Sequence, residues 1–428
     1  KNVSVTGFDF AKNWCGTTTN LDGSKTYRGN KLVIRFNVAP EPGFLGGNDV
    51  PTNASAGIYK EGATEPSQTF TVPTVNVPVK DVTVTAPDKN VYLLGKVTLD
   101  QLKSGATVTV GNVELKLGEE NYGLDSWQNQ YVTITVAVKD KAGNIVTDKI
   151  ESLTDDTTYK IIVTVSPKQG TVASGIGPTV TAKSGSADGK INVFKPELTF
   201  VDSVGYYGDT APAYPNSLTD IKWKHEGTTA NEEAMGKAPE LGISYASDSN
   251  NFLGDKINTK QDIPVKVDVT LKNENVNNYT KFVHGDCNVA GCTWEDTADT
   301  AKGDPAFLIH VKTCTLTIVK EGGETGKPYV FDVYKDGNKY TEVTVKGNDR
   351  VTIVELPVGI YSITEDTGWS WRYKDPTYAN NDVELSALNP TGTITCTNTK
   401  GNDQWLNDYG VISNIYGKPN TPATDGNN

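Results

Sequence analysis

Methionine occurs once and histidine three times, at His225, His284 and His310, in a chain of 428 residues. Histidine is the commonest general base and metal ligand, and a large hydrolase or metalloenzyme would ordinarily hold more of it. No apolar run approaches the length a membrane-spanning helix needs. Basic residues are outnumbered, 40 Lys and Arg against 52 Asp and Glu, and a net charge of −12 repels phosphate backbones, so no nucleic-acid partner is expected. Helical periodicity is nearly missing as well. The chain opens at Lys1 on a strand-like stretch with no signal peptide, which reads as a mature protein or a cut fragment. At 36% hydrophobic residues it is still apolar enough to exclude disorder and fill several small cores.

What is present is strand alternation. β-Branched runs of period two recur at "KLVIRFNV" (Lys31 to Val38), "KDVTVTA" (Lys80 to Ala86), "YVTITVAVK" (Tyr131 to Lys139), "YKIIVTVS" (Tyr159 to Ser166), "IPVKVDVTLK" (Ile263 to Lys272) and "CTLTIVK" (Cys314 to Lys320). Turn signals such as "DKAGN" (Asp140 to Asn144) and "KDGNK" (Lys335 to Lys339) separate them. Short helices fit only near Thr98 to Gly105 and Asn231 to Ala238. The expected class is all-β: tandem Ig-like β-sandwich domains in an elongated array. Boundaries fall at an N-terminal β domain over 1–79 (truncated, or fused to the next), sandwiches over 80–190 and 191–313, a fourth domain over 314–402, and an extension with a flexible tail over 403–428. The stretch "TAKSGSADGK" (Thr181 to Lys190) reads as the clearest linker.

The fourth domain carries the most specific signal. In "CTLTIVK", Lys320 shares a face with Leu316 and Ile318, so it points into the core. An inward lysine is costly unless neutralised or consumed. In "TITCTNTK" (Thr393 to Lys400), Asn398 shares a face with Ile394 and Cys396, and Glu365 shares one with Tyr361 and Ile363. A desolvated amine is a nucleophile, and a buried carboxylic acid can polarise a carboxamide and shuttle protons while ammonia leaves.

These residues, with "IVELPVGIYSITED" (Ile353 to Asp366), resemble the CnaB/SpaA-type domains of Gram-positive pilins and adhesins. The resemblance covers about residues 314–400 and implies an intramolecular isopeptide bond between Lys320 and Asn398, assisted by Glu365. It departs from the family after Glu365, where "EDTGW" replaces the usual E-T-x-A-P. Glu355 precedes the Gly-x-Tyr turn and fits the role less well. The bland alternative is a snorkelling Lys320 in an ordinary salt bridge with Glu365, and an Asn398 that caps a turn.

Cysteine usage fits export. "HGDCNVAGC" places Cys287 and Cys292 close enough for a small disulfide loop, which is favoured over metal binding by His284, Cys287 and Cys292 because a fourth ligand is lacking. Cys314 and Cys396 face inward on the first and last strands and suggest a second bridge. A parallel register with Lys320 opposite Asn398 would, however, set them four residues out of step, ~13 Å. Cys15 is left as a small buried residue. Lys195, read as inward-facing with Asp202 after it, hints at a second crosslink. Gly43 to Asn53 reads as a surface loop, Ser247 to Asp255 as a polar turn, and "NPTG" (Asn389 to Gly392) as a turn. The tryptophans, among them Trp127 and Trp223, read as sandwich-core residues.

The expected protein is a non-enzymatic, extracellular protein of a bacterial cell wall, a stalk or adhesin whose only chemistry is a single-turnover crosslink. No cofactor and no metal are expected. It would be a monomer, wall-anchored or part of a pilus. The alternative is a binding module whose upstream domains hold a host glycoprotein, matrix protein, immunoglobulin or glycan.

Overall fold

The computed structural model describes residues 14–29, 33–60, 62–168, 179–285, 306–368 and 373–401, with Ser4 and Thr6. Cys287, Cys292, Trp294, Trp369 and Trp371 lie outside the described residues. The chain is all-β, with a few helical turns, among them Leu99–Lys103 and Glu232–Met235. No described helix is long and apolar enough to cross a membrane.

The chain divides into two compact units. One comprises Lys1–Pro87, Leu99–Thr147 and Thr158–Gly189, the other Asp88–Thr98, Asp148–Thr157 and Lys190–Asn428. In the first, Val132–Lys139 pairs antiparallel with Thr157–Pro167, whose Tyr159, Ile161, Val163 and Val165 alternate into the core. The second holds a clean period-two pattern: Ile263–Leu271 buries every other residue from Ile263 to Leu271 and exposes most of those between.

Three expectations are corrected here. Thr181 to Lys190 is not a linker, because from Lys183 on it is the start of one long strand, Lys183–Phe200. Its small residues serve close packing: a Cβ on Gly189 would lie 2.4 Å from the Tyr159 ring, so only glycine lets that backbone lie against the phenol. Gly43 to Asn53 is not merely a surface loop, since Phe44 and Leu45 are buried and Gly47–Pro51 is a strand. Among the described residues of Lys31 to Val38, none is in a strand, and Val33, Ile34, Phe36 and Val38 are exposed. Alternation makes a segment competent to be a strand, but a ladder also requires a partner edge.

The C-terminal residues of the second unit form a two-sheet sandwich. Its first sheet runs Arg350–Leu356, Cys314–Glu321, Thr391–Thr397, Thr377–Ala379; its second runs Asn338–Lys346, Pro328–Lys335, Gly359–Glu365, Val383–Leu385. Asp336 and Gly337 turn the first hairpin of the second sheet with φ of 48° and 77°, the left-handed pair that a two-residue hairpin loop demands. Leu316, Ile318, Phe331, Val333, Tyr361, Ile363 and Ile394 fill the space between the sheets. The first and last strands, Cys314–Glu321 and Thr391–Thr397, lie side by side and parallel.

Candidate functional site

Three polar residues end up inside this apolar sandwich. Lys320 is fully buried, Glu365 is 3% exposed and Asn398 4%. Lys320 reaches the core because it continues the Leu316, Ile318 face of its strand, and its backbone N–H is tied to Asp349 O at 2.8 Å. Asn398 follows the last strand, with its N–H on Glu321 O at 3.0 Å. Glu365 ends the Gly359–Glu365 strand of the opposite sheet, and its backbone N–H donates to the Tyr378 hydroxyl at 2.9 Å. Tyr378 crosses from the first sheet, so one phenol fixes the spacing between the two halves of the site.

The carboxylate of Glu365 bridges the other two. Lys320 Nζ donates to Oε2 at 3.0 Å, and Asn398 Nδ2 donates to Oε1 at 2.8 Å. The ammonium side of Lys320 also sits 4.9 Å from the centre of the Tyr329 ring. An amine, a proton carrier and a carboxamide thus meet where water does not reach. The side chains expected at the site from their strand faces are brought together.

The register differs from the expected one. Lys320 lies opposite Cys396, and Asn398 lies two residues further on. The expected bridge between Cys314 and Cys396 is corrected accordingly: among the described residues both are free, buried thiols. Thr315 pairs with Thr391, so Cys314 and Cys396 stand about six rungs apart on parallel strands, roughly 20 Å at an ordinary strand rise. A disulfide spans only about 4.4–6.8 Å between Cα atoms. Burial pushes both thiols up, Cys396 to about 12, with its hydrogen bond to Glu365 adding to the effect. Alternation marks Cys396 only as inward-facing; the register is what sets its thiol against Lys320 and Glu365.

Gly322 sets the far wall. Its φ is +69°, and a Cβ there would lie 2.0 Å from Asn398 O. Gly322→Ala is therefore expected to lower the unfolding free energy by at least the roughly 1–2 kcal/mol of a left-handed non-glycine residue, as read from the urea midpoint.

No family model matches the chain, and no curated protein does. Similar solved structures exist. The Bacillus anthracis TIE protein shares 12% identity over 63% of this chain, with a TM-score of 0.23, and this chain spans about half of it, 51%. A Mobiluncus mulieris adhesin containing intramolecular disulfide, isopeptide and ester cross-links shares 12% over 63% of this chain and 99% of its own, with a TM-score of 0.22. The major pilin subunit BcpA of Bacillus cereus shares 10% over 75% of this chain and 100% of its own, with a TM-score of 0.23. At these values the functional reading rests on the side-chain geometry.

The other candidates resolve differently. Lys195 does not meet Asp202; it is partly exposed, with its Nζ 2.8 Å from Asp155. Asp202 belongs instead to a polar chain that the sequence did not disclose. Its buried carboxylate accepts from His284 Nε2 at 2.9 Å, His310 Nε2 at 2.9 Å and the Leu308 N–H at 2.8 Å. The other nitrogen of His310, Nδ1, meets Asp262 at 2.8 Å. The sheet builds part of this arrangement by register. On the antiparallel side Ile309 is opposite Ile263, which sets Asp262 beside His310; on the parallel side His310 is opposite Val204, and Asp202 reaches it diagonally from the Leu308 rung. Trp223 is buried as expected, and Trp127 is half-exposed.

His310 faces a carboxylate from each ring nitrogen, a geometry that only the imidazolium satisfies with two donors. Burial pulls its pKa down, but the bonds to Asp262 and Asp202 outweigh that, and the pKa ends above the ordinary 6.5. A raised folded-state value gives stability that is fully present below the unfolded value and lost as pH rises through the folded one. The urea midpoint of the wild type should therefore fall toward that of His310→Gln as pH climbs from 6 into the alkaline range. A gap that widens with pH would refute the assignment.

Proposed function

We propose that this chain is a non-enzymatic bacterial surface protein, a stalk or adhesin, whose C-terminal domain ties itself shut with an amide bond between Lys320 Nζ and Asn398 Cγ. The observation that supports it is the single carboxylate of Glu365, in contact with the amine on one oxygen and the carboxamide nitrogen on the other, in a closed core. A structural salt bridge would need no carboxamide on its second oxygen.

The protons balance through Glu365. Nζ gives a proton to the carboxylate, and its lone pair attacks Asn398 Cγ, forming the C–N bond. The carbonyl electron pair moves onto Oδ1. Glu365 then protonates Nδ2, the Cγ–Nδ2 bond breaks as the carbonyl reforms, and ammonia leaves. The remaining extra proton on the new amide nitrogen returns to Glu365, which ends as a carboxylic acid. Starting from an ammonium and a carboxylate, the products are a neutral amide, a neutral acid and ammonia. Burial favours the neutral products, and proximity replaces a bimolecular encounter.

Intact mass of the reduced, denatured chain tests the proposal. The wild type should be lighter than its sequence by one ammonia, and Lys320→Met and Asn398→Ala should show the full mass. A wild type at full mass would leave Lys320, Glu365 and Asn398 as ordinary core polar residues.

The exposed run Val33, Ile34, Phe36 and Val38 favours a second reading, in which the upstream residues also hold a host protein or glycan. Binding to a host-matrix panel that survives removal of residues 314–428 and is lost on Phe36→Asp would support it.

A further inference from the structure

The thiol of Cys396 has no part in the reaction as described so far, yet it touches every member of it. Its Sγ lies 3.5 Å from Lys320 Nζ, 3.1 Å from Glu365 Oε2 and 3.9 Å from Asn398 Oδ1, and the residue is fully buried. The ladder explains why. Cys396 is the rung directly opposite Lys320, and Asn398 is the next residue on the same face. The lysine side chain must lean along the strand, over the sulfur, to approach Asn398. The Asn398 amide is also oriented: Nδ2 goes to Glu365, which leaves Oδ1 turned toward the sulfur.

We propose that Cys396 is a fourth catalytic residue of the self-crosslinking centre, its undissociated thiol donating to Glu365 Oε2 at rest and to Asn398 Oδ1 as negative charge develops there. This rests on the crosslink reading above. One S–H serves two acceptors by rotation about the Cβ–Sγ bond. At rest it competes with Nζ–H for the same carboxylate oxygen. When Glu365 takes up the proton from Nζ, Oε2 becomes the poorer acceptor, and the oxyanion on Oδ1 becomes the better one. A 3.9 Å separation is long for the ground state and shortens as Cγ turns tetrahedral and its oxygen tips out of the amide plane. Donors aimed at the developing oxyanion, rather than at the ground-state carbonyl, are what accelerate acyl transfer. The thiol remains a donor throughout because burial holds its pKa at about 12. No bond to sulfur forms or breaks.

Size matters as much as polarity. The side chain at this rung lies beneath the path of the amine, so it must be small, and apolar neighbours require any polar atom there to have partners. Cysteine and serine are small and bring a donor that has partners here; alanine is small but brings no donor, and valine is larger and brings none.

The test is the time course of ammonia loss, followed by intact mass on full-length chain made by cell-free synthesis and scored on the folded, monomeric fraction. Cys396→Ser should crosslink within about threefold of wild type, whereas Cys396→Val and Cys396→Ala should slow by about tenfold or more. Equal rates for Cys396→Ala and wild type would overturn the proposal, as would a Cys396→Ser as slow as Cys396→Ala, which would mark the role as packing. A wild type that never loses ammonia defeats the crosslink itself, a separate outcome. Should Cys396→Val fail to fold, the Cys396→Ala and Cys396→Ser pair still decides. A second readout is the S–H stretching band in Lys320→Met protein, taken as its difference from Lys320→Met/Cys396→Ala. A band lowered by hydrogen bonding to the carboxylate supports the role, and a free-thiol band overturns it.

Discussion

Glu365→Ala should abolish the crosslink and cost about 3–5 kcal/mol of folding stability beyond the loss of the tie itself, whereas Glu365→Gln should abolish the crosslink at a smaller additional cost. The alanine leaves the fully buried Lys320 with a phenol ring and a sulfur as its neighbours, and leaves Asn398 Nδ2 without its acceptor. An uncompensated buried charge is the costly half of a broken ion pair. Glutamine keeps the shape and still offers a carbonyl oxygen, but it cannot carry a proton from one nitrogen to the other. Urea midpoints give the stabilities and intact mass gives the crosslink. A Glu365→Gln chain that still loses ammonia would remove the proton-relay role, and a Glu365→Ala chain as stable as uncrosslinked Glu365→Gln would mean that Lys320 reaches solvent.

Asn398→Ala should lower the unfolding free energy by about 4–5 kcal/mol through the unfolded state alone. Joining residue 320 to residue 398 closes a loop of 398 − 320 = 78 residues, and chain entropy removed from the denatured ensemble scales with the logarithm of that length. In the crosslinked wild type Nδ2 has left as ammonia, so the further loss is at most one hydrogen bond of the new amide, worth roughly 1 kcal/mol. The Lys320–Glu365 contact stays in place, so the loss is mostly that of the tie. Guanidinium titration of the two mass-verified chains measures it. A difference near 1 kcal/mol would mean that wild type gains nothing beyond the hydrogen bond.

Period two told which side chains face inward, and that was enough to nominate Lys320, Glu365 and Asn398. It could not tell which rung faces which. Sliding one strand by two residues leaves every side chain on its own face, so alternation is blind to that slip. A register with Asn398 opposite Lys320 is off by this amount, since Cys396 stands there instead. The place of the Cys396 thiol beside Lys320 is hidden by that slip, whereas the disulfide is suggested by two inward faces on the first and last strands and fails in either register. Asp202, Asp262, His284 and His310 escaped for another reason: they converge only through pairings among strands far apart in the chain. The Thr181 to Lys190 segment misled by composition, since small residues serve tight packing and flexible linkers alike.

The parallel pairing of the first and last strands also sets a timetable. Lys320 belongs to the earliest strand of its domain to be made, and Asn398 follows the latest. A chain delivered N-terminus first therefore presents its nucleophile well before its electrophile exists. The amine finds no carboxamide at 2.8 Å from a shared carboxylate until the final strand slides in beside the first and the second sheet closes over both. On the proposed crosslink, a chain exported N-terminus first would stay open and unbranched until the last strand arrives. A covalently closed domain is then a record that folding went to completion.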